Sequence, residues 1–357
     1  MPNPDFSVRT IDRRSFLKTS GILSAGMLVS AALPLSEAVA FGRGRYRITR
    51  TRLMMGTFAA ITVIGPSRDE ADDAISLAFD EMERSARLFD RHQEISPIGT
   101  LNREGRAADL EPEVTALLER SLQLNRVTRG AFDITVKPVV DLYQHTFASR
   151  QAPPGDERVA AVLDLVDSGA VRMQGRTVRF AREGMGVTLD GIAKGYAIDC
   201  GMKALKRRGI QHALINAGGD IRTMGGRGPH RPWRVAVQNP DREGLALQTF
   251  TMKDGAAATS GNYEVYFDKE KVYHHLIHPG SARPARGSRS VTVLAADATL
   301  ADALSTAVFV AGPRDGKGLM ETLPGAECLI VTAGGAHVSS SRWPSAEGLF
   351  SPASSSS

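Results

Sequence analysis

Cysteine is nearly absent from this chain. Its 357 residues include two, Cys200 and Cys328. Neither has a partner at CxxC spacing, which argues against a metal site built on cysteine. Two buried free thiols or a single disulfide are the readings left, and only the distance between the two Cα atoms separates them. Aromatic residues are few, at 6%. Lysine and arginine nowhere form a dense run and the net charge of +5 is mild, so a nucleic-acid-binding arm is not expected. The GxxxxGK[ST] phosphate loop and the HExxH zinc helix are both missing. There is no internal repeat.

Glycine, by contrast, is plentiful at 35 residues, and 42% of the chain is hydrophobic. Many glycines imply tight turns or close approaches of backbone to a ligand, and the apolar share is ample for a core. The N-terminus reads as an address. Residues 12–18, Asp-Arg-Arg-Ser-Phe-Leu-Lys, form a twin-arginine pattern. A modest apolar stretch runs from Gly21 to Leu35, too short for a confident membrane span. Ala38-Val39-Ala40 then offers the small residues that a signal peptidase reads. Together these predict export to the periplasm by the twin-arginine route, with cleavage before Phe41; an uncleaved membrane anchor is the alternative. Residues 1–40 are therefore a signal peptide, 41–345 a single domain, and 346–357 a serine-rich disordered tail.

Within the domain, residues 46–64 alternate and are rich in Thr, Ile and Val, which predicts a strand pair or bent strand broken at Gly56. Helices are predicted from Asp69 to Phe89, from Pro112 to a stop at Gly130, over 158–167, from Ala193 to Arg208 and from Leu300 to Ala311. Residues 90–109 read as a loop. A hairpin is predicted over 170–180, and strands at 213–215, 233–238, 246–252, 263–268, 272–277, 289–296 and 328–332. Helices and strands mix without strict βαβ alternation, so the fold class is α+β, with mixed or antiparallel sheets packed against helices.

Four segments carry chemistry. In Leu189-Asp190-Gly191-Ile192-Ala193-Lys194-Gly195-Tyr196 a polar, glycine-bearing turn feeds a helix N-terminus; such a turn offers unpaired N–H groups to an anion, and Lys194 is placed to reach a phosphate. In Ala301-Asp302-Ala303-Leu304-Ser305-Thr306, Asp302 and Thr306 are i and i+4, so their oxygens share a helical face and suit a hard cation such as Mg²⁺. The plainer readings are a capping box at Thr299-x-x-Asp302 and a Thr306 hydroxyl bonded back to its own helix. Asp133, in Ala131-Phe132-Asp133, is an acid placed to bond a ring edge or sugar, or simply a loop acid. The fourth segment joins Thr259-Ser260-Gly261-Asn262-Tyr263 to Tyr273-His274-His275-Leu276-Ile277-His278-Pro279. Its three histidines match no zinc spacing, and on a strand His274 and His275 face opposite sides.

In order and spacing these segments, with Met54-Met55-Gly56-Thr57, Glu94-Ile95-Ser96, Leu101-Asn102 and Asn216-Ala217-Gly218-Gly219-Asp220, resemble the ApbE family of FAD:protein FMN transferases. The resemblance runs from about residue 46 to 335, and the Gly191–Tyr196 and Ala301–Thr306 segments are its most specific parts. It implies Mg²⁺, FAD as substrate, and transfer of FMN to a Thr or Ser hydroxyl of an acceptor flavoprotein, with release of AMP. Carried over residue by residue, Asp302, Thr306 and the Gly191 carbonyl would hold the metal, with Asp302 and Lys194 catalytic. Met55, Phe89, Ala131, Phe132, Asp133, Thr188, Lys194, His275 and Ile277 would line the FAD site. The resemblance allows a membrane-bound redox protein as the acceptor and implies no nucleic acid. The twin-arginine leader and TLDGIAKGY resemble the branch that accompanies nitrous oxide reductase. The chain departs from the usual family pattern at Thr188-Leu189-Asp190-Gly191, where the common run is Asp-Leu-Gly-Gly, and at Gly280-Ser281-Ala282, where a basic residue and a glycine are lost. Two further functions fit the same pattern of residues: a non-catalytic flavin carrier, and a Mg²⁺-dependent FAD pyrophosphatase in which water replaces the acceptor hydroxyl.

Overall fold

The alternating residues after Tyr46 fold as a hairpin. Strands β2 (Tyr46–Met54) and β3 (Thr57–Gly65) pair from Tyr46–Gly65 to Met54–Thr57. The turn residues Met55 and Gly56 both have positive φ, 51° and 70°, as a two-residue turn between twisted strands requires. The computed structural model describes residues 36–40, 44–228, 231–242 and 244–352. The twin-arginine pattern and the apolar stretch after it lie outside the described residues. Ser36–Ala40, at the end of the predicted leader, forms an edge strand (β1) on β2, so cleavage before Phe41 would remove that strand.

Six more strands complete one nine-stranded sheet: β4 (Ala213–Ala217), β5 (Asp220–Met224), β6 (Ala256–Gly261), β7 (Ser288–Ala295), β8 (Glu327–Thr332) and β9 (His337–Ser339). Spatial order follows chain order, and every neighbouring pair is antiparallel. The α+β class forms as expected: this sheet is antiparallel, and a smaller mixed sheet pairs Ala246–Met252 in parallel with Leu349–Phe350. Period-two alternation divides the central strands between two cores. Ala256, Ala258, Val291, Val293, Cys328 and Ile330 face the main core. Ala257, Leu294 and Leu329 face a second sheet (Trp233–Gln238, Ala246–Met252 and Leu349–Phe350) through Val235, Val237, Phe250 and Phe350. Leu349–Phe350 belonged to the expected tail, and Phe350 is instead buried in that packing.

Seven helices are described. Helix α1 (Arg68–Phe89) starts at Ser67, whose hydroxyl accepts from Glu70 N–H, and buries Ala71, Ile75, Phe79 and Met82 along one face. The segment read as a loop holds α2 (Pro97–Glu104). Ser96 caps it, Pro97 opens it, and Gly105 ends it at φ 68°. Eight residues are too few for periodicity to show, but the caps were readable. Helix α3 is Pro112–Val127. Helix α4 (Lys137–Arg150) had no counterpart in the sequence reading; its hydrophobic periodicity is weak, yet it buries Val139, Leu142, Tyr143 and Phe147. Helix α5 is Asp156–Leu163 and α6 is Ala193–Arg207.

Helix α7 (Ala298–Glu321) breaks at Gly312, φ 81°, before Pro313, so its first regular stretch ends at Ala311 as expected. Its N-cap is Asp297, which accepts from Leu300 N–H at 2.8 Å, and the predicted capping box at Thr299 is not used. Strands expected at 263–268 and 272–277 are reduced to one bridge, Tyr266–His274, and the short strand Ile277–His278. The Asp268 carboxylate accepts from Val272 and Tyr273 N–H and folds the chain into a turn instead. Both cysteines are buried and free, so no disulfide forms. Among the described residues no helix is long and apolar enough to cross a membrane.

Candidate active site

The site is built where α6 and α7 meet. Their approach is set by Gly195: a Cβ there would lie 2.2 Å from Ala298 O and 2.9 Å from Asp302 Cβ. At this closeness the Gly195 N–H, an orphan donor of the first turn, reaches Asp302 Oδ2 at 2.9 Å. Asp199, one turn further along α6, accepts from Ala298 N–H, Thr299 N–H and the Thr299 hydroxyl at 3.1, 2.9 and 2.6 Å. One helix thus satisfies the N-terminus of the other, and the register between Lys194 and Asp302 is fixed.

Around this contact the predicted residues converge. A Cβ on Gly191 would come within 2.9 Å of Thr306 Oγ1 and 3.4 Å of the Phe132 ring, so the Gly191 turn, Thr306 and Phe132 form one wall. Thr188 precedes that turn; its N–H donates to Ile134 O and its hydroxyl accepts from Asp190 N–H. Thr306 does not bond back to its own helix. Ser305 does so, donating to Asp302 O at 2.8 Å, while Thr306 faces Ser260 on β6.

Lys194 Nζ lies 3.1 Å from Asp220 Oδ2. Burial opposes the lysine's charge, but Asp220, then Glu264 and Asp302, outweigh it and hold the amine above the usual lysine range. Burial pushes the Asp302 carboxyl up to about 8, with Asp220 adding to the rise and Lys194 opposing it. Burial likewise raises Asp220, against Lys194. Glu264 is reached by water yet crowded by protein, and this crowding raises it to about 7. Three carboxyls therefore share one ammonium. Such an excess of negative charge in a partly desolvated place suits a further cation. Among the described residues no group of three or more His, Cys, Asp or Glu is placed to hold a metal alone. The donors on the α6/α7 wall are hard oxygens, few in number, and they fit an ion that keeps water and phosphate oxygens as its other ligands.

The other predicted residues divide. Ala131 and Asp133 line a cavity of about 870 Å³ with Ser168, Pro279, Gly280 and Arg314, while Phe132 between them is buried against Gly191. Asp133 also caps the short helical turn after it, accepting from Thr135 N–H, and takes bonds from the Thr135 and Ser168 hydroxyls and from Asn125. Met55 is at the tip of the β2–β3 hairpin, whose Thr57 packs on Gly218 beside Asp220. Phe89 is core: it meets Tyr196 edge to face at 5.3 Å. Ile277 is buried with Val139 and Tyr143 in a separate cluster.

His275 Nδ1 lies 3.0 Å from Val265 O, so that nitrogen carries the proton and Nε2 is left as an acceptor. Burial lowers its pKa, and it senses Asp190, Lys194 and Arg91. The acid at the departure position is not loose: Asp190 pairs with Arg91 at 3.0 Å, and Arg91, 7% exposed, also binds Asp141 at 2.8 Å. Sequence reading gave no role to Asp220, Asp199, Ser260, Glu264 or Arg91. Asp220 closes the Asn216–Asp220 motif and Ser260 lies in Thr259–Tyr263, so both sat in recognised segments; the other three had no local signal.

A nine-stranded antiparallel sheet carrying a helix pair with buried acids, a lysine and a glycine turn defines an α+β protein with a charged, partly desolvated site at the helix junction. Residues 55–330 match the ApbE family, and the chain belongs to it, a family of enzymes. It is 31% identical over 312 residues to the FAD:protein FMN transferase of Rhodobacter capsulatus, spanning 85% of this chain and 58% of that protein. To the Treponema pallidum FAD:protein FMN transferase it is 28% identical, over 81% of this chain and 86% of that one. The crystal structure of the ApbE protein from Thermotoga maritima superposes with a TM-score of 0.74 at 32% identity, covering 83% of this chain and 97% of the other.

Proposed function

We propose that this protein transfers the FMN half of FAD to a Thr or Ser hydroxyl of an acceptor flavoprotein. The acceptor oxygen attacks the FMN phosphorus, the bond from that phosphorus to the bridging oxygen breaks, AMP leaves, and the hydroxyl proton passes to solvent. The observation that carries the reading is the convergence of Asp302, Thr306 and the Gly191 turn beside Lys194. A Mg²⁺ ion held by the first three would neutralise charge developing on the leaving phosphate. Lys194 supplies a fixed positive charge for the nucleotide, and Asp220 orients it. Gly195 N–H holds Asp302 Oδ2, which leaves Oδ1 for the cation. His275, neutral and with Nε2 unprotonated, faces the nucleotide side as an acceptor. Ala131, Asp133 and Gly280 border the cavity that receives part of FAD. Export by the twin-arginine route would place the reaction in the periplasm, where membrane-bound redox proteins are suitable acceptors.

The test is incubation with FAD, Mg²⁺ and an acceptor fragment bearing a candidate threonine, followed by intact-mass measurement with and without EDTA. An EDTA-sensitive gain of one FMN is expected. FAD bound without a mass gain and without AMP would point to a carrier, and AMP without a gain to hydrolysis.

A further inference from the structure

The hydroxyls behind Thr306 form a chain whose direction is set at one end. The Asp302 carbonyl can only accept, and Ser305 donates to it at 2.8 Å. The single hydrogen of Ser305 is then used, so in its 2.7 Å contact with Ser260 the donor is Ser260. The hydrogen of Ser260 is used in turn, so across the 3.4 Å to Thr306 Oγ1 the threonine donates. Ser260 and Ser305 are 7% and 1% exposed, which leaves water little room to compete for these bonds.

From this geometry we infer that Ser260, through Ser305 and the Asp302 carbonyl, is a positioning residue that holds the Thr306 proton toward β6 and the threonine lone pairs toward the cation site. The inference rests on the cation reading above. Without Ser260 the Thr306 hydroxyl is free to rotate its hydrogen into the site, where it repels a cation. Outer-shell hydrogen bonds of this kind typically change metal affinity by about 10- to 100-fold. A packing role alone would alter melting temperature and leave cation affinity unchanged.

The experiment titrates Mn²⁺ onto the FAD-loaded protein without acceptor and reads free Mn²⁺ by electron paramagnetic resonance, with circular dichroism to check folding. Ser260→Ala is expected to weaken Mn²⁺ binding about tenfold. Ser305→Ala frees Ser260 to turn its donor on Thr306, and should weaken binding measurably but less than Ser260→Ala. In a Thr306→Val background Ser260→Ala should add nothing, because the group it orients is gone. Wild-type Mn²⁺ affinity in folded Ser260→Ala, or an equal loss with and without Thr306, overturns the inference. Should Ser260→Ala fail to fold, Ser305→Ala decides in the same way. If Asp302→Ala leaves Mn²⁺ binding intact, the cation reading itself falls and takes this inference with it.

Discussion

Two regions face the same site and are built differently. On one side the α6/α7 pair presents Lys194, Asp302 and Thr306 from regular helices, locked by Gly195 and Asp199. On the other, residues 262–280 present Glu264 and His275 from a segment with one bridge and a two-residue strand. The helical wall places oxygens within a narrow range because each bond is backed by a regular ladder. The opposite wall depends on side chains, Asp268 above all, to shape its backbone. On the proposed reading, phosphate and cation would be held by the rigid side, and the irregular side, which runs on into Gly280-Ser281-Ala282, would supply the remaining contacts.

Breaking the rigid wall should have the largest effect. Asp302→Ala is expected to lower FMN transfer at least a hundredfold, since it deletes the carboxylate of the proposed cation site. FAD binding, followed by flavin fluorescence, should largely persist, because the cavity at Ala131 is untouched. Gly195→Ala comes next. Its Cβ would need to move backbone at Ala298, and overpacking of this kind costs about 1–3 kcal/mol. A lowered melting temperature together with at least tenfold slower transfer is expected; a normal rate would show that the helix register is not needed.

Asp199→Asn should slow transfer less than Gly195→Ala, with a stability cost of about 1–3 kcal/mol for the mismatched donors. Its effect on rate should exceed that of an equally destabilising change remote from α7, because Asp199 acts on the helix that carries Asp302. The smallest effect on rate belongs to the irregular wall. Burial lowers His274 to about 4, while its Nε2 bonds Ala285 O and its ring meets Phe309 edge to face. The unfolded chain therefore binds the extra proton between pH 6.5 and 4. Its contribution to stability is complete above pH 6.5 and is lost as pH falls through that window, at no more than about 1.4 kcal/mol per pH unit. Denaturant melts of His274→Leu should show a flatter stability profile there than the parent.

Elements with a strong period or clear punctuation were legible. The hairpin at Gly56, α1, α6 and the first part of α7 fall where their apolar spacing put them. Strands at 233–238 and 246–252 match residue for residue. Where local signals were weak, tertiary contacts decided. β6 is Ala-Ala-Ala-Thr-Ser-Gly, poor in strand formers, and becomes a strand because β5 and β7 flank it. Helix α4 shows a faint pattern and is held by Ile277 and Ala282 from a distant segment.

For the site, the spacing of Asp302 and Thr306 was in the sequence, as were the glycine turn before Lys194 and the order of motifs that mark the family. A helical period fixes which residues of one element share a face, so those relations need nothing else. That Lys194 would meet Asp220, that Gly195 would touch Asp302, and that Ser260 would stand behind Thr306 depended on elements 26, 107 and 46 residues apart coming together. Burial then raised the carboxyls, and no local pattern encodes burial produced by the packing of distant segments.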